Sequence, residues 1–210
     1  MSKIITIGEN NQLLRQVSRP VKTVDHKLIQ LMKEMSETLR QQQDPEGVGL
    51  SAIQIGYPIR LFAVNHTLLD AKKDSDIIFY LNPEIISRSE NTTLGENIIK
   101  NKNRRLPGTR DLTPFLEGCL SVPDIYAPVP RREWIKAKTL TIPNAQISQL
   151  SKNFAIGHYP LTINHYAFLP ARVFQHEVDH LNGVLFTDRA LKAGSPMYRF
   201  TDKKMVPLEL

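Results

Sequence analysis

Between Asp25 and Gln43, Leu28, Met32, Met35 and Leu39 recur at the three- and four-residue spacing of one helix face, with Asp25 as the capping side chain and Pro45 as the stop. Three later stretches, residues 59–64, 79–86 and 134–142, are short and rich in apolar or β-branched residues, and Pro, Asn and Asp separate them, which predicts strands. A second helical stretch comes last. Pro170 suits its first turn, Val173, Phe174, Val178 and Leu181 give it an apolar side, and Gly183 supplies the left-handed residue that commonly ends a helix. With no internal repeat or low-complexity tract, the pattern predicts an α+β fold in which antiparallel sheet wraps around that last helix. A chain of 210 residues without a Pro- or Ser-rich linker is expected to be one domain, residues 1–210.

The last helix carries His176-Glu177-Val178-Asp179-His180. Histidines four residues apart project from one helix face, so both rings can reach a single cation while the intervening Glu leans over its open side. A surface helix that happens to hold two His and two acids is the competing reading. A catalytic divalent site usually takes three protein ligands and keeps a fourth position for water, so one more donor is needed. Downstream, Asp188 and Asp202 sit in short, turn-like surroundings. Upstream, the lone cysteine of the chain, Cys119, lies in Glu117-Gly118-Cys119-Leu120-Ser121. Alone it reads equally well as a small buried hydrophobe. Beside a His pair, two imidazoles and a thiolate become the better account, a donor set suited to zinc, iron(II), cobalt or nickel.

A third segment, Gly47-Val48-Gly49-Leu50-Ser51-Ala52-Ile53-Gln54 followed by Gly56, reads as a strand edge or tight loop over which a peptide backbone could lie, with the Gln54 amide pointing inward. By itself it is also a common glycine-rich turn entering an apolar strand. No Lys-Ser or Lys-Thr follows the second glycine and no dinucleotide spacing is present, which argues against a phosphate loop.

In order along the chain, these three segments resemble the peptide deformylases, whose motifs run G-x-G-L-A-A-x-Q, E-G-C-L-S and Q-H-E-x-D-H-L-x-G. The second and third are matched without change, by Glu117 to Ser121 and Gln175 to Gly183, and the first with Ser51 in place of an alanine. The stretch from Gln54 to Cys119 and residues 143–170 look expanded, and the tail after Asp188 lacks a helical pattern.

The resemblance implies antiparallel sheets packed around a central metal-binding helix, and removal of the formyl group from the N-formylmethionine of nascent polypeptides. It implies Cys119, His176 and His180 as metal ligands and Glu177 as the general base that activates metal-bound water. The Gln54 amide and Leu120 N–H would be donors to the developing oxyanion. It also implies a methionine pocket near Val48, Gly49 and Val173, with Leu50 and Leu120 excluding acyl groups larger than formyl. Glu46 and Arg131 would face the groove as an ion pair; an ordinary surface acid and base is the alternative. Iron(II) is the expected native metal, with zinc, nickel or cobalt possible in a purified sample. A metallopeptidase and a binding module with a structural metal are the rival readings.

One cysteine excludes an internal disulfide framework and fits a reducing compartment. The N-terminus is too short and mixed for a signal peptide, and no apolar run approaches membrane-spanning length. A soluble protein is therefore expected, free of the membrane and cytoplasmic in a bacterium or organellar in a eukaryote. The formal charge is +6, and Lys100, Lys102, Arg104, Arg105 and Arg110 cluster in residues 97–110, a stretch without an acid that follows Glu96. A solvated loop is the default for such a cluster. The competing reading is a transient, sequence-independent contact with ribosomal RNA at the nascent-chain exit.

Overall fold

The structure, a computed structural model, describes residues 2–8, 11–43, 46–69, 76–95, 115–150, 154–156 and 160–209. The basic cluster of residues 97–110 and Pro45 lie outside the described residues. In chain order the elements begin with α1 (Asn11–Leu14), β1 (Thr23–Val24), α2 (His26–Gln41) and β2 (Gly49–Ser51), which runs into a 3-10 turn, Ala52–Ile55. Strands β3 (Leu61–Asn65), β4 (Ile77–Arg88), β5 (Thr92–Thr93), β6 (Leu116–Cys119), β7 (Val122–Pro128), β8 (Arg131–Arg132), β9 (Trp134–Pro143), β10 (Phe154–Ala155) and β11 (Thr162–Ala167) follow. The chain closes with α3 (Phe168–Leu181), α4 (Phe186–Lys192), β12 (Tyr198–Thr201) and β13 (Lys204–Pro207).

The fold is α+β, and every named strand pairing is antiparallel. The main sheet has the order β11-β9-β4-β3-β2, and a second has the order β13-β12-β7-β6. The main sheet is covered on both sides. Leu61 and Ala63 of β3 join α2 in one apolar cluster with Leu28, Met32, Met35 and Leu39, whereas Phe62 and Val64 face α3 and pack with Ala171, Phe174 and Leu181. The two-residue alternation of a strand thus feeds two helices from one sheet. Asp25 caps α2 as expected, its carboxylate accepting from the Leu28 N–H at 2.8 Å.

The metal-motif helix is not the last element. After it, α4 packs on β7, and the β12–β13 hairpin adds to the outer edge of the sheet that contains β6. The hairpin turns through Asp202 and Lys203, both at positive φ (49° and 60°). Such a two-residue turn usually announces itself with Asn-Gly or Asp-Gly, and neither is present here. Gly183 does end α3. Its φ is +71°, and a Cβ there would stand 2.3 Å from the Arg15 carbonyl oxygen, so the position needs glycine on two grounds.

Candidate metal centre and active site

Helix α3 lies between the two sheets and sends successive side chains to different neighbours. His176 and His180, one turn apart, face β6, and their ring centroids are 5.0 Å apart. Cys119 ends β6, where a register shift between Glu117 and Cys119 interrupts the pairing with β7. A bulge of this kind re-aims a side chain. The thiol sulfur stands 3.2 Å from His180 Nε2, and one ligand atom from each of Cys119, His176 and His180 lies within 4.8 Å of the others. Donors bonded to one tetrahedral cation at about 2.0–2.3 Å are roughly 3.3–3.8 Å apart, so this arrangement fits a single ion. Among the described residues it is the one such cluster.

The two imidazoles are pushed in opposite directions. Burial opposes protonation of His176, but its contacts with the Cys119 thiol and the Glu117 carboxylate outweigh this and raise its pKa well above the ordinary value. His180 is driven the other way by burial and by the charges of His176 and Arg131, and its Nδ1 is buried without a hydrogen-bond partner. His176 turns Nδ1 to Glu117 Oε2 at 3.2 Å, which leaves Nε2 for the sulfur side. A carboxylate on the far nitrogen is the usual way of fixing a ligating imidazole.

Glu117 is the hub of a buried ionic network. Arg131 grips it with two bonds, Nε to Oε1 at 2.9 Å and Nη2 to Oε2 at 2.8 Å, and Arg172 adds a third at 2.6 Å. Burial alone would raise this carboxyl, yet Arg131, His176 and Arg172 hold it well below the usual range. Arg131 also reaches Asp179 at 2.5 Å, and Arg189 of α4 caps the same carboxylate with two bonds of 2.5 Å. Arg172 further donates to the Val129 and Thr93 carbonyls and lies over the Phe115 ring.

Glu177 faces the opposite side, onto β2. It is 3 % exposed, and burial raises its pKa despite the opposing influence of His176 and a hydrogen bond from Ser51. Its Oε1 occupies the space above Gly49, where a Cβ would stand 2.4 Å away. Gln54 is fixed just beyond. Its amide oxygen accepts from the Ser51 N–H at 2.8 Å, and its nitrogen donates to Ser121 Oγ at 3.1 Å and lies 3.6 Å from the Cys119 sulfur.

The sequence motifs therefore converge: Cys119, His176, His180, Glu177, Gln54 and Gly49 surround one point. Leu120 sits half-buried in the turn between β6 and β7. Val48, Gly49 and Val173 are half-buried, and among the described residues β2 is the outer strand of its sheet.

Two expectations are corrected. Arg131 does not face a groove in partnership with Glu46: its guanidinium is 2 % exposed and bound to Glu117 and Asp179, while Glu46 is exposed. A buried guanidinium pairs with the buried carboxylates beside it because a desolvated charge left unmatched is costly. Leu50 is fully buried in the α2 cluster, since on β2 it points away from the face shared by Gly49 and Ser51. The roles of Ser51, Glu117, Asp179, Arg172 and Ser121 were not read from sequence. Glu117 and Asp179 stood inside the quoted motifs, but nothing local said which charges would meet them.

The polypeptide deformylase family model matches residues 1–195. Peptide deformylases of Mesorhizobium japonicum and Rhizobium meliloti are each 34% identical, over 92% and 90% of this chain and 87% of theirs. A peptide deformylase structure from Legionella pneumophila superposes with a TM-score of 0.62 at 31% identity, covering 90% of this chain and 85% of its own. The Met-Ala-Ser-bound class I type b enzyme of Acinetobacter baumannii gives 0.63 at 27%, covering 90% and 98%. The chain thus belongs to the polypeptide deformylase family, metal-dependent hydrolases that remove the N-terminal formyl group from nascent peptides.

Proposed function

We propose that Cys119, His176 and His180 hold the cation and that Glu177 carries the proton in deformylation of N-formylmethionyl peptides. The observation that carries this reading is the convergence of one thiol and two imidazoles beside a buried carboxylate whose pKa is raised. A divalent cation in this donor set supplies Lewis-acid chemistry, drawing electron density from oxygen and making water a better acid. Glu177 takes a proton from the attacking water and returns it to the departing amine, releasing formate and a free N-terminus; a raised pKa suits both directions. The Gln54 amide and the Leu120 N–H act as donors to the oxygen of the formyl group as it gains charge.

The substrate lies as an added strand along β2, its methionine side chain near Val48, Gly49 and Val173 and its formyl group limited in size by Leu120. Met-Ala-Ser in the Acinetobacter baumannii relative supports a peptide beginning with methionine in this cleft. The metal in the cell is iron(II), exchangeable for zinc, nickel or cobalt on purification, because thiolate with imidazole accepts all four. The chain acts as one domain, in the cytoplasm as its bacterial relatives suggest. The bases at residues 100–110 support transient contact with ribosomal RNA, testable by the salt dependence of ribosome association after their neutralisation.

The deciding experiment pairs elemental analysis with a formate-release assay on anaerobically prepared protein. One iron per chain and turnover of formyl-Met-Ala-Ser are expected, with metal and activity lost together in Cys119→Ala and His176→Ala. A Cys119→Ala protein that keeps its metal would falsify the ligand set.

A further inference from the structure

Ser51 stands where the family motif has alanine, and its hydroxyl is engaged with the residue assigned to proton transfer. Ser51 Oγ lies 2.6 Å from Glu177 Oε2 and 3.2 Å from the Glu177 carbonyl oxygen, and Ser51 is completely buried. The shorter separation is that of a hydroxyl donating to a carboxylate, among the stronger neutral-to-ion hydrogen bonds. Ser51 is itself held by backbone pairing with Phe62 and by its N–H to Gln54, so the donor sits on a rigid strand end. The other oxygen, Oε1, lies over half-exposed Gly49, where a Cβ would stand 2.4 Å from it. The two oxygens of Glu177 are thereby made unequal by two positions on the same face of β2.

We propose that Ser51 is a positioning residue of the reaction: its hydroxyl anchors Oε2 and leaves Oε1 as the oxygen that takes the proton from water and passes it to the amine. The proton moves from water oxygen to Oε1 and then to nitrogen, with Oε2 keeping its bond to Ser51 throughout. An anchored carboxylate spends less of its time turned away from the reacting atoms, so the hydroxyl acts on turnover and leaves substrate binding alone. An alanine at this position would leave the buried Oε2 without this donor, and the carboxylate free to rotate about its last bond.

This inference rests on Glu177 as the proton carrier, and a double-mutant cycle separates the two. Ser51→Ala, Glu177→Gln and the pair are compared for kcat and KM on formyl-Met-Ala-Ser, with metal content measured on each protein. Ser51→Ala is expected to lower kcat about tenfold, with KM and metal content unchanged, and to have no further effect in the Glu177→Gln background. An unchanged kcat in Ser51→Ala, a loss confined to KM, a loss of metal, or the same fold-loss in both backgrounds overturns the role of Ser51. Full activity in Glu177→Gln alone overturns the reading beneath it.

Discussion

Glu117 and Glu177 are both almost fully buried and both border His176, yet their environments push them in opposite directions. Glu117 meets Arg131 through two bonds, Arg172 through one and the His176 ring through another, so its charge is matched and held. Glu177 has a hydroxyl from Ser51 and rests its other oxygen over Gly49, and no guanidinium is bonded to it among the described residues. Burial therefore dominates at Glu177, where it is offset at Glu117. One carboxylate is held as an anion beside His176, and the other is biased by burial toward its protonated form. The same helix borders both environments because His176 and His180 share one face, toward β6, while Glu177 points to another, toward β2.

Neutralising each carboxylate in turn gives the sharpest contrast. Glu177→Gln should lower kcat on the order of a hundred to ten thousand-fold with metal retained, measured by formate release and elemental analysis. Its melting temperature should equal or exceed that of the wild type near neutral pH. The folded pKa of Glu177 lies above its ordinary 4.5, so the ionised form withdraws stability as pH rises past that value, and Gln removes the cost. Glu117→Gln should do the reverse. Two buried guanidinium groups lose their anion, costing about 3–5 kcal/mol in denaturant unfolding, and metal affinity should fall roughly ten- to a hundredfold as His176 loses its orienting partner. A Glu117→Gln protein as stable as the wild type would erase the distinction between the two sites.

Acid should expose the same difference. Because Glu117 is depressed in the folded protein, its contribution is fully present above the ordinary 4.5 and is lost as pH falls through its folded value. The melting temperature should thus decline below about pH 4.5, and the decline should be shallower in Glu117→Gln, checked by thermal scans across pH on metal-free protein. The smallest effect is expected at the rim of the network. Arg189 is 47% exposed where Arg131 is 2% exposed, although both bind Asp179. Arg189→Ala should cost about 0.2–1 kcal/mol, since solvent screens one side of the pair and Arg131 still matches the carboxylate.

The site was legible in the sequence to the extent that its chemistry is local. His176 and His180 share a helix face through their spacing alone, and Asp25 and Gly183 mark helix ends through backbone preferences that need no distant partner. Cys119 and Gln54 were found because ordered motifs stood around them. Where a residue's role depends on a partner far along the chain, the sequence was silent or misleading. Arg131 looked like a groove residue, but its partners are 14 and 48 residues away on β6 and α3. Ser51 stood out only as a departure from the motif's alanine, and its partner is a carboxylate 126 residues further on. The closing hairpin was missed because its turn uses Asp202 and Lys203 at positive φ without a glycine.

By itself, then, the sequence determined the two longest helices, the long central strands and the candidate donors with the acid beside them, because periodicity and residue chemistry are properties of short stretches. Only the tertiary structure decided which buried charge is matched and which is left poised. That depends on which side chains the two sheets bring against α3, and a desolvated carboxylate takes its character from its nearest neighbours in space.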